Sequence, residues 1–252
     1  MNIKINRFFS DKYVNREAVA DNFLLLLMYR LAFPFAVILN KVGFSPNQIT
    51  TQSLVCSVLA FLALVFDPGW VYFVCFWGFT ILLDFCDGTV ARMANKVSKI
   101  ALRYDHVSDL FKIFLVILGA ALRYDDYWVW ALAMCTSFFF MYYSVLNHEL
   151  DSAQKKQARL AVATGDAETQ TQEYVRLSDR YRIIGFLIKF KPLIALLKNL
   201  YSALITINGH TLLLMLLLAV NSVYASLVFS YLILVSLLNI FSRIRQLVNI
   251  KR

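Results

Sequence analysis

The sequence predicts an all-α integral membrane protein with six transmembrane helices and an N-terminal juxtamembrane amphipathic helix. Three observations carry this prediction. Hydrophobic residues make up 60% of the 252-residue chain, a share typical of membrane proteins. The apolar residues fall into runs that are each about long enough to cross the ~30 Å hydrocarbon layer as a helix. Basic residues lie between alternate runs, as expected for loops retained on one side of a membrane.

Six apolar runs account for the predicted spans. In order along the chain they cover 49 to 66, 70 to 90, 107 to 122, 127 to 146, 204 to 220 and 223 to 241. A further apolar stretch, Phe23 to Leu39, contains Arg30 and Pro34 and is bracketed by Arg16 and Lys41. We interpret this stretch as a helix that lies along the membrane surface. The competing interpretation is a seventh span.

The distribution of the 25 Lys and Arg residues predicts the orientation, because basic residues are retained on the cytoplasmic side. They are found before the first span, between spans 2 and 3, between spans 4 and 5, and after span 6. The other connections carry a single basic residue, Arg123. We therefore expect a multi-pass protein whose termini and acidic cluster, residues 84 to 109, face the cytoplasm. The short N-terminus and compact length predict the cell inner membrane. The net charge of +9 then reflects attraction to anionic lipid headgroups, and we expect no nucleic-acid partner.

Four aspartates stand out near the ends of two predicted spans. Asp84 and Asp87 are three residues apart, and Asp105 and Asp109 are four apart, so each pair projects from one face of its helix. The two pairs can then meet across a helical hairpin. Acids near hydrocarbon usually line a polar interior, where they bind cations or perform chemistry. Hard divalent cations such as Mg²⁺ prefer oxygen ligands, and four carboxylates carry enough charge for two such ions.

Two residues that follow the first aspartate pair suit a phosphate ligand. Gly88 has no side chain and lets a ligand approach the backbone closely. Arg92, one turn further on, offers its planar fork of donors to a phosphate. A two-ion site beside such residues suits phosphoryl transfer, because it clamps the phosphate and stabilises both the attacking and the leaving oxygen.

This stretch resembles the signature of the CDP-alcohol phosphotransferase (CDP-alcohol phosphatidyltransferase) family. The signature has two acids and a glycine, then Ala-Arg, a second glycine and two further acids, written D-x2-D-G-x2-A-R-x8-G-x3-D-x3-D. Every position matches except one, where Ala101 replaces the second glycine. We expect activity to survive this change, with an altered fit of the donor. The segment 43 to 50, Gly-Phe-Ser-Pro-Asn-Gln-Ile-Thr, is similar to the Pro-Asn segment that opens the family's first membrane helix.

The resemblance implies an enzyme in which an acceptor alcohol attacks a CDP-linked alcohol, forms a new phosphodiester and releases CMP. It implies two Mg²⁺ ions, with Mn²⁺ as the alternative, held by Asp84, Asp87, Asp105 and Asp109. Asp109 would also act as general base on the acceptor hydroxyl. The residues implied to contact the cytidine diphosphate group are Ser45, Pro46, Asn47, Gln48, Gly88, Arg92 and Ser98. The resemblance also implies a homodimer.

The sequence does not determine which donor and acceptor are used. The leading hypothesis is CDP-diacylglycerol as donor and a small polar alcohol or sugar phosphate as acceptor, in phospholipid synthesis. The alternative is a small CDP-alcohol donor with a lipid or glycan acceptor. Several basic residues suit an anionic acceptor and equally suit headgroup anchoring: Arg182, Lys189, Lys191, Arg243 and Arg245. A third reading is a non-enzymatic cation transporter, which predicts acids spread through the depth of the membrane.

The chain as a whole, 1 to 252, is interpreted as a single membrane catalytic domain. We expect a juxtamembrane segment over 1 to 45 and spans 1 to 4 with the active site over 46 to 149. A polar cytoplasmic insert follows over 150 to 182, and spans 5 and 6 with the tail occupy 183 to 252. The insert is polar and poor in aromatic residues, which is typical of a solvated loop or surface helix.

Lys112, His106 and the four cysteines each have a structural interpretation to weigh against a functional one. Lys112, three residues after Asp109, is expected to pair with an acid, to bind an acceptor phosphate or to extend towards the interface. His106 points at a different helical angle from the acids, so we expect packing rather than metal binding. The four cysteines lie in predicted spans without metal-ligand spacing, and we expect them to pack as small apolar residues.

Overall fold

A computed structural model of the chain describes residues 23–94, 99–164 and 209–250, and these form a bundle of helices. The helices in chain order are α1 (Phe23–Val42), α2 (Pro46–Phe66), α3 (Trp70–Met93), α4 (Lys99–Tyr124), α5 (Tyr127–Thr164), α6 (Gly209–Leu214), a 3-10 helix (Met215–Ala219) and α7 (Ser222–Ile250). No strand occurs among the described residues. The predicted all-α class is confirmed.

A tight corner joins α1 to α2 and places the start of α2. Gly43 follows α1 with a φ of +93°, a left-handed conformation that glycine adopts at little cost. Ser45 then caps α2: its hydroxyl accepts a hydrogen bond from the Gln48 amide at 3.3 Å, and the Gln48 side chain accepts one from the Ser45 amide at 2.8 Å. Pro46 occupies the first helical position, where a backbone N–H is not needed. The helix therefore begins three residues before the predicted start of the span.

Helix α3 is the centre of the described bundle, because both α1 and α2 pack on it, while α2 also packs on α4. The indole of Trp77 is buried and donates a hydrogen bond to the carbonyl of Leu212 at 2.8 Å, which ties α3 to α6. Cys86 is fully buried, and its thiol donates to the carbonyl of Ala32 on α1 at 3.4 Å. The expected packing role is confirmed for this cysteine. Helices α5 and α7 pack on each other.

Helices α2 and α4 approach each other closely at Gly119. A Cβ atom at this position would stand 3.1 Å from Cδ2 of Phe61 and 3.2 Å from Cβ of Leu64. Such distances are too short for ordinary packing, so a glycine lets the two helices come together here. Because the second aspartate pair lies on α4, this contact helps to set where that pair stands against α2.

The end of α4 remote from the aspartates is held by a separate set of contacts. The Arg123 guanidinium lies 2.5 Å from the Asp67 carboxylate at the end of α2. It also lies 5.6 Å from the ring centre of Tyr124, and the Tyr124 hydroxyl donates to the carbonyl of Leu218 at 2.6 Å. These contacts fasten α4 to α2 and to the 3-10 helix.

Five described helices are long and apolar enough to cross a membrane, so the chain is a multi-pass membrane protein. The spans cover Leu25–Val42, Pro46–Phe66, Trp70–Met93, Tyr127–Gln154 and Ser222–Asn249. The first of them belongs to α1, which we expected along the membrane surface. Helix α4, the expected third span, is not among the five, and its apolar part carries Asp109, Lys112 and Arg123. The predicted fifth span starts outside the described residues, and its described part is α6 and the 3-10 helix. The six-span layout with α1 on the surface therefore stays a prediction.

Helix α5 is much longer than a membrane is thick. Its 38 residues extend over roughly 57 Å at about 1.5 Å per residue, against a hydrocarbon layer of ~30 Å. The first part of the predicted polar insert, 150 to 164, is thus a continuation of α5 rather than a separate element. The rest of the insert, 165 to 182, lies outside the described residues.

Candidate metal centre and substrate cavity

The aspartates of α3 and α4 converge as the helical spacing predicted. One carboxylate oxygen each from Asp84, Asp105 and Asp109 lies within 4.8 Å of the other two. Asp84 comes from the C-terminal half of α3, and the other two come from the N-terminal half of α4. The prediction that the two pairs meet across a hairpin is therefore confirmed for these three residues.

Asp87 occupies a different position beside this group. Its side chain is buried, and its Oδ2 accepts a hydrogen bond of 2.7 Å from the hydroxyl of Thr50 on α2. The charges of Asp84 and Asp105 act on it electrostatically, so it belongs to the same acidic centre. Thr50 was not assigned a role from the sequence. It lies in the Pro-Asn segment quoted above, but nothing local shows that its hydroxyl turns towards a carboxylate on another helix.

Lys112 is the counter-charge within this acidic centre. Its ammonium lies 2.5 Å from Asp84 and 2.8 Å from Asp109, so it bridges α3 and α4. Only 3% of the side chain is exposed. Of the three roles considered from the sequence, pairing with an acid is confirmed, and the ammonium does not extend to the interface.

The donor set fits a hard divalent cation. Among the described residues, three clustered carboxyl groups share one ammonium, that of Lys112, and an excess of negative charge is costly at low dielectric unless a cation joins it. Carboxylate oxygens are the ligands that Mg²⁺ and Mn²⁺ prefer, and Asp84, Asp105 and Asp109 offer three of them in one place. Asp84 and Asp87, which both lie on α3, would be available as ligands of a second ion.

Gly88 and Arg92 lie together on the next turn of α3. A Cβ at Gly88 would stand 3.4 Å from Nη1 of Arg92, so the guanidinium lies over the glycine backbone. Nη2 of Arg92 is 3.5 Å from the hydroxyl of Thr89, and the guanidinium carbon is 5.3 Å from the ring centre of Tyr29 on α1. Tyr29 was not selected from the sequence, because the ring is supplied by a helix that precedes both motifs.

The Pro-Asn segment lies at the start of α2, where Ser45 and Gln48 bond to each other in the cap. Asn47 and Gln48 are exposed there. One turn into α2, the hydroxyls of Thr51 and Tyr104 lie 2.8 Å apart, which joins this segment to the residue before Asp105. Ser98, the remaining predicted nucleotide contact, lies outside the described residues. Ala101 lies in α4, and the surroundings of its side chain are outside the described part as well.

A cavity of about 310 Å³ opens beside Asp84, Asp109 and Lys112. One part of its wall is apolar and is formed by Leu25, Trp77, Ile81, Phe85, Leu110, Ile113, Phe140 and Leu212. The other part carries polar groups from Thr80, His106, Tyr143, Ser144, Asn147 and Thr211. Asp87, Gly88 and Arg92 are not part of this wall. The cavity therefore borders Asp84 and Asp109 but not the Gly88–Arg92 turn.

His106 and Ser144 connect α4 to α5 at the cavity wall. Nε2 of the imidazole lies 3.0 Å from the hydroxyl of Ser144. His106 is not one of the three residues whose ligand atoms cluster. The expectation that it is not a metal ligand agrees with this geometry, whereas its place on the cavity wall was not foreseen.

Comparison with known proteins decides the family. The sequence model of the family described as CDP-alcohol phosphatidyltransferase matches residues 44–172, just over half of the chain. The chain belongs to the CDP-alcohol phosphatidyltransferase family. The matched region contains all four aspartates, Gly88 and Arg92, and it starts after α1. Membership implies transfer of a phosphatidyl group from a CDP-alcohol to an alcohol acceptor, in a family that is generally dependent on divalent metals. No curated protein matches the chain.

Proposed function

We propose that this protein transfers a substituted phosphate group from a CDP-alcohol, with CDP-diacylglycerol as the leading donor, to an acceptor alcohol with release of CMP. The observation that carries the proposal is the convergence of Asp84, Asp105 and Asp109, with Arg92 on the turn of α3 after Asp87 and a cavity beside Asp84 and Asp109. A diphosphate donor needs positive charge and close backbone approach, and an acceptor needs a pocket next to a base. Arg92 with Gly88 supports the first requirement, and the cavity supports the second.

The metal is proposed to be Mg²⁺, or Mn²⁺, held by Asp84, Asp87, Asp105 and Asp109. When bound, it supplies positive charge that neutralises the diphosphate and the charge developing on it. Arg92 and the backbone at Gly88, which carries no side chain, support a place for the diphosphate, because a guanidinium binds phosphate in a planar fork. Ser45, Pro46, Asn47, Gln48 and Ser98 remain the proposed contacts of the cytidine diphosphate group.

Asp109 is proposed to be the general base, and its position on the cavity wall supports that role. It accepts the proton of the acceptor hydroxyl as the acceptor oxygen bonds to the phosphorus that carries the donor alcohol. The bond from that phosphorus to the bridging oxygen breaks, and the electron pair leaves with CMP. A carboxylate is a weak base towards an alcohol. Most of the rate enhancement is therefore assigned to holding the reactants together and to charge stabilisation.

Lys112 orients the base in this proposal. The ammonium holds one oxygen of Asp109 at 2.8 Å, so the other oxygen is the one directed to the acceptor. Since Lys112 contacts two carboxylates and is buried, it is poorly suited to bind an acceptor phosphate as well. Among the described residues that line the cavity it is also the only Lys or Arg. These contacts favour an acceptor without a phosphate group over a sugar phosphate.

The alternative donor, a small CDP-alcohol with a lipid acceptor, is kept because of the cavity's apolar wall. Trp77, Ile81 and Phe140 would suit the chains of a lipid alcohol whose hydroxyl reaches Asp109. A glycan acceptor has less support from such a wall. The cation-transporter reading has little support, because the described acids of this centre cluster on two adjacent helices instead of following a path through the bundle.

The membrane setting is proposed from the charge pattern. A cell inner membrane, with the acidic centre and both termini on the cytoplasmic face, agrees with the basic residues that follow Asp87 on α3 and precede Asp105 on α4. A homodimer is proposed from family membership alone. Of the basic residues considered for an anionic acceptor, Arg182, Lys189 and Lys191 lie outside the described residues. Arg243 donates a hydrogen bond to Gln246, and neither Arg243 nor Arg245 lines the cavity.

The test is release of CMP by the purified protein in lipid nanodiscs. With Mg²⁺ present, the protein is supplied in one assay with CDP-diacylglycerol and a pooled set of polar alcohols and their phosphates. A parallel assay contains a small CDP-alcohol and a lipid alcohol, and the Asp109→Asn variant serves as the control in both. Release that requires both Mg²⁺ and Asp109 would support the chemistry and the donor. Release only from a small CDP-alcohol in the presence of a lipid alcohol would establish the alternative donor. No release from either donor would refute the proposal.

A further inference from the structure

We propose that Tyr29 of α1 is a positioning residue for the nucleotide side of the site: its ring holds the guanidinium of Arg92 where the diphosphate of the CDP-alcohol binds. This inference rests on the proposed function, since it requires a cytidine diphosphate group next to Arg92. It adds α1 to the substrate site, although α1 lies before the residues that match the family.

The contact between Tyr29 and Arg92 is direct. The guanidinium carbon of Arg92 lies 5.3 Å from the centre of the Tyr29 ring, within the range of a cation–π interaction. A ring attracts a guanidinium that lies over its face, and a guanidinium binds phosphate along its N–H edge. One arginine can therefore rest on the ring and bind a phosphate at the same time.

The Tyr29 ring is itself held in place from its other side. It packs edge to face on Phe85, with ring centres 5.0 Å apart and an interplanar angle of 84°. Phe85 is buried on α3, one turn before Gly88. The thiol of Cys86 donates to the carbonyl of Ala32 one turn further along α1, so the two helices are in register here. The ring is thus a fixed support and not a flexible surface group.

The Arg92 guanidinium is held over Gly88, next to the acidic centre. Its Nη1 lies 3.4 Å from the point where a Cβ of Gly88 would stand, so the guanidinium covers a stretch of bare backbone on α3. Asp87 precedes that glycine and belongs to the acidic centre. Tyr29 therefore keeps the positive group of Arg92 beside the acids, where a metal-bound diphosphate would lie. Without the ring, a long arginine side chain would sample many rotamers and lose part of its binding energy.

The test measures binding of cytidine 5′-diphosphate in the presence of Mg²⁺ to the full-length protein in nanodiscs. Tyr29→Leu is expected to raise the Kd about tenfold, the size of effect that a partly desolvated cation–π contact has. Tyr29→Phe keeps the ring and removes only the hydroxyl that bonds to Arg92, so it is expected to raise the Kd less than Tyr29→Leu does. In CMP-release assays Tyr29→Leu is expected to raise KM for the CDP-alcohol more than it lowers kcat.

A matched control comes from the other end of the bundle. Tyr124 lies against Arg123 in a similar contact, 5.6 Å from the ring centre, but remote from the acids. Tyr124→Leu is expected to lower the melting temperature as Tyr29→Leu does, with an unchanged Kd. A double-mutant cycle adds a second control: in an Arg92→Ala background, Tyr29→Leu is expected to weaken binding no further, because Tyr29 acts through Arg92.

The outcomes separate this inference from the proposed function. If the wild-type protein fails to bind cytidine 5′-diphosphate with Mg²⁺, the proposed function fails and the inference with it. If the wild type binds and Tyr29→Leu binds equally well, the inference alone is overturned. Equal losses in Tyr29→Leu and Tyr124→Leu, or in Tyr29→Leu and Tyr29→Phe, would also overturn it. A loss that is larger in Tyr29→Leu than in either of these variants, and absent in the Arg92→Ala background, would establish it.

Discussion

The hydroxyl of Thr50 donates a hydrogen bond of 2.7 Å to the carboxylate of Asp87. Both side chains are buried, and the bond joins the start of α2 to the acidic centre on α3. The segment that precedes the first motif is thereby connected to the motif itself. A carboxylate at this depth needs donors or cations around it, and the Thr50 hydroxyl is a donor that α2 supplies.

Removal of that hydroxyl is expected to weaken the metal site. Thr50→Val keeps the shape of the side chain but leaves Asp87 without its donor, so we expect about tenfold weaker binding of Mn²⁺ and a matching shift in the Mg²⁺ dependence of CMP release. The free energy of unfolding is expected to fall by about 1–3 kcal/mol. Thr50→Ser keeps the hydroxyl and is expected to bind metal as the wild type does. Thr136→Val is the control, because Thr136 is also buried but bonds to the Leu132 carbonyl, away from the acids. Equal metal affinity in Thr50→Val and wild type would contradict this role.

Replacement of Lys112 is expected to make the fold depend on metal. Lys112→Met leaves Asp84 and Asp109 without their shared ammonium, and removal of one partner of a buried ion pair typically costs about 3–5 kcal/mol. We expect a lower melting temperature without Mg²⁺ and a larger rise when Mg²⁺ is added than in wild type. Arg123→Met, which breaks the remote ion pair with Asp67, is the control and should not change the Mg²⁺ response. A Lys112→Met protein that responds to Mg²⁺ as wild type does would count against a shared centre.

The aspartates are expected to differ in what they contribute. Asp109→Asn should abolish turnover while leaving binding of cytidine 5′-diphosphate largely intact, because it removes the proposed base. Asp87→Asn should weaken metal binding and activity together. Calorimetric titration with Mn²⁺ and a CMP-release assay on the same preparations distinguish the two. Equal activity in the two variants would contradict the assignment of roles.

The close approach of α2 and α4 can be tested with a pair of glycines. Gly119→Ala places a methyl group 3.1 Å from Phe61 and 3.2 Å from Leu64, so we expect the free energy of unfolding to fall by about 1–3 kcal/mol and activity to decrease as α4 shifts. Gly78→Ala is the matched control on α3, where a Cβ would meet nothing within 4 Å. Thermal unfolding in nanodiscs measures the stability of both variants, and CMP release measures their activity. If Gly119→Ala leaves the free energy of unfolding unchanged, α2 and α4 can separate here without loss of stability.

The cavity wall predicts which acceptors are used. Because Lys112 is engaged by two acids, an alcohol without a phosphate group is expected to be used better than its phosphate ester. Asn147→Lys adds a cation to the polar part of the cavity wall. It is expected to increase the use of the phosphorylated acceptor of each pair. Competition assays with matched pairs of acceptors test this expectation. A wild-type preference for the phosphorylated member of a pair would contradict it.

Much of the fold and part of the site follow from local patterns. Apolar runs of membrane-spanning length predicted the helices, and the boundaries of α2 and α3 fall within a few residues of the prediction. The spacing of Asp84, Asp87, Asp105 and Asp109 predicted a shared centre, because three- and four-residue intervals place side chains on one face of a helix. The family was predicted from the resemblance of the whole motif to a known signature. Whether α1 crosses the membrane does not follow from its composition, since an apolar helix with one arginine suits either position.

The sequence by itself determined that the chain is helical, lies in a membrane and carries paired acids of one enzyme family, since length, hydropathy and residue spacing are properties of single segments. Only the tertiary structure decided that Lys112 bridges Asp84 and Asp109, that Thr50 bonds to Asp87, and that Tyr29 supports Arg92. Each of these contacts joins residues on different helices or depends on how they pack. Their geometry is set by the depth and rotation of one helix against another, which close contacts such as the one at Gly119 establish and no local pattern encodes.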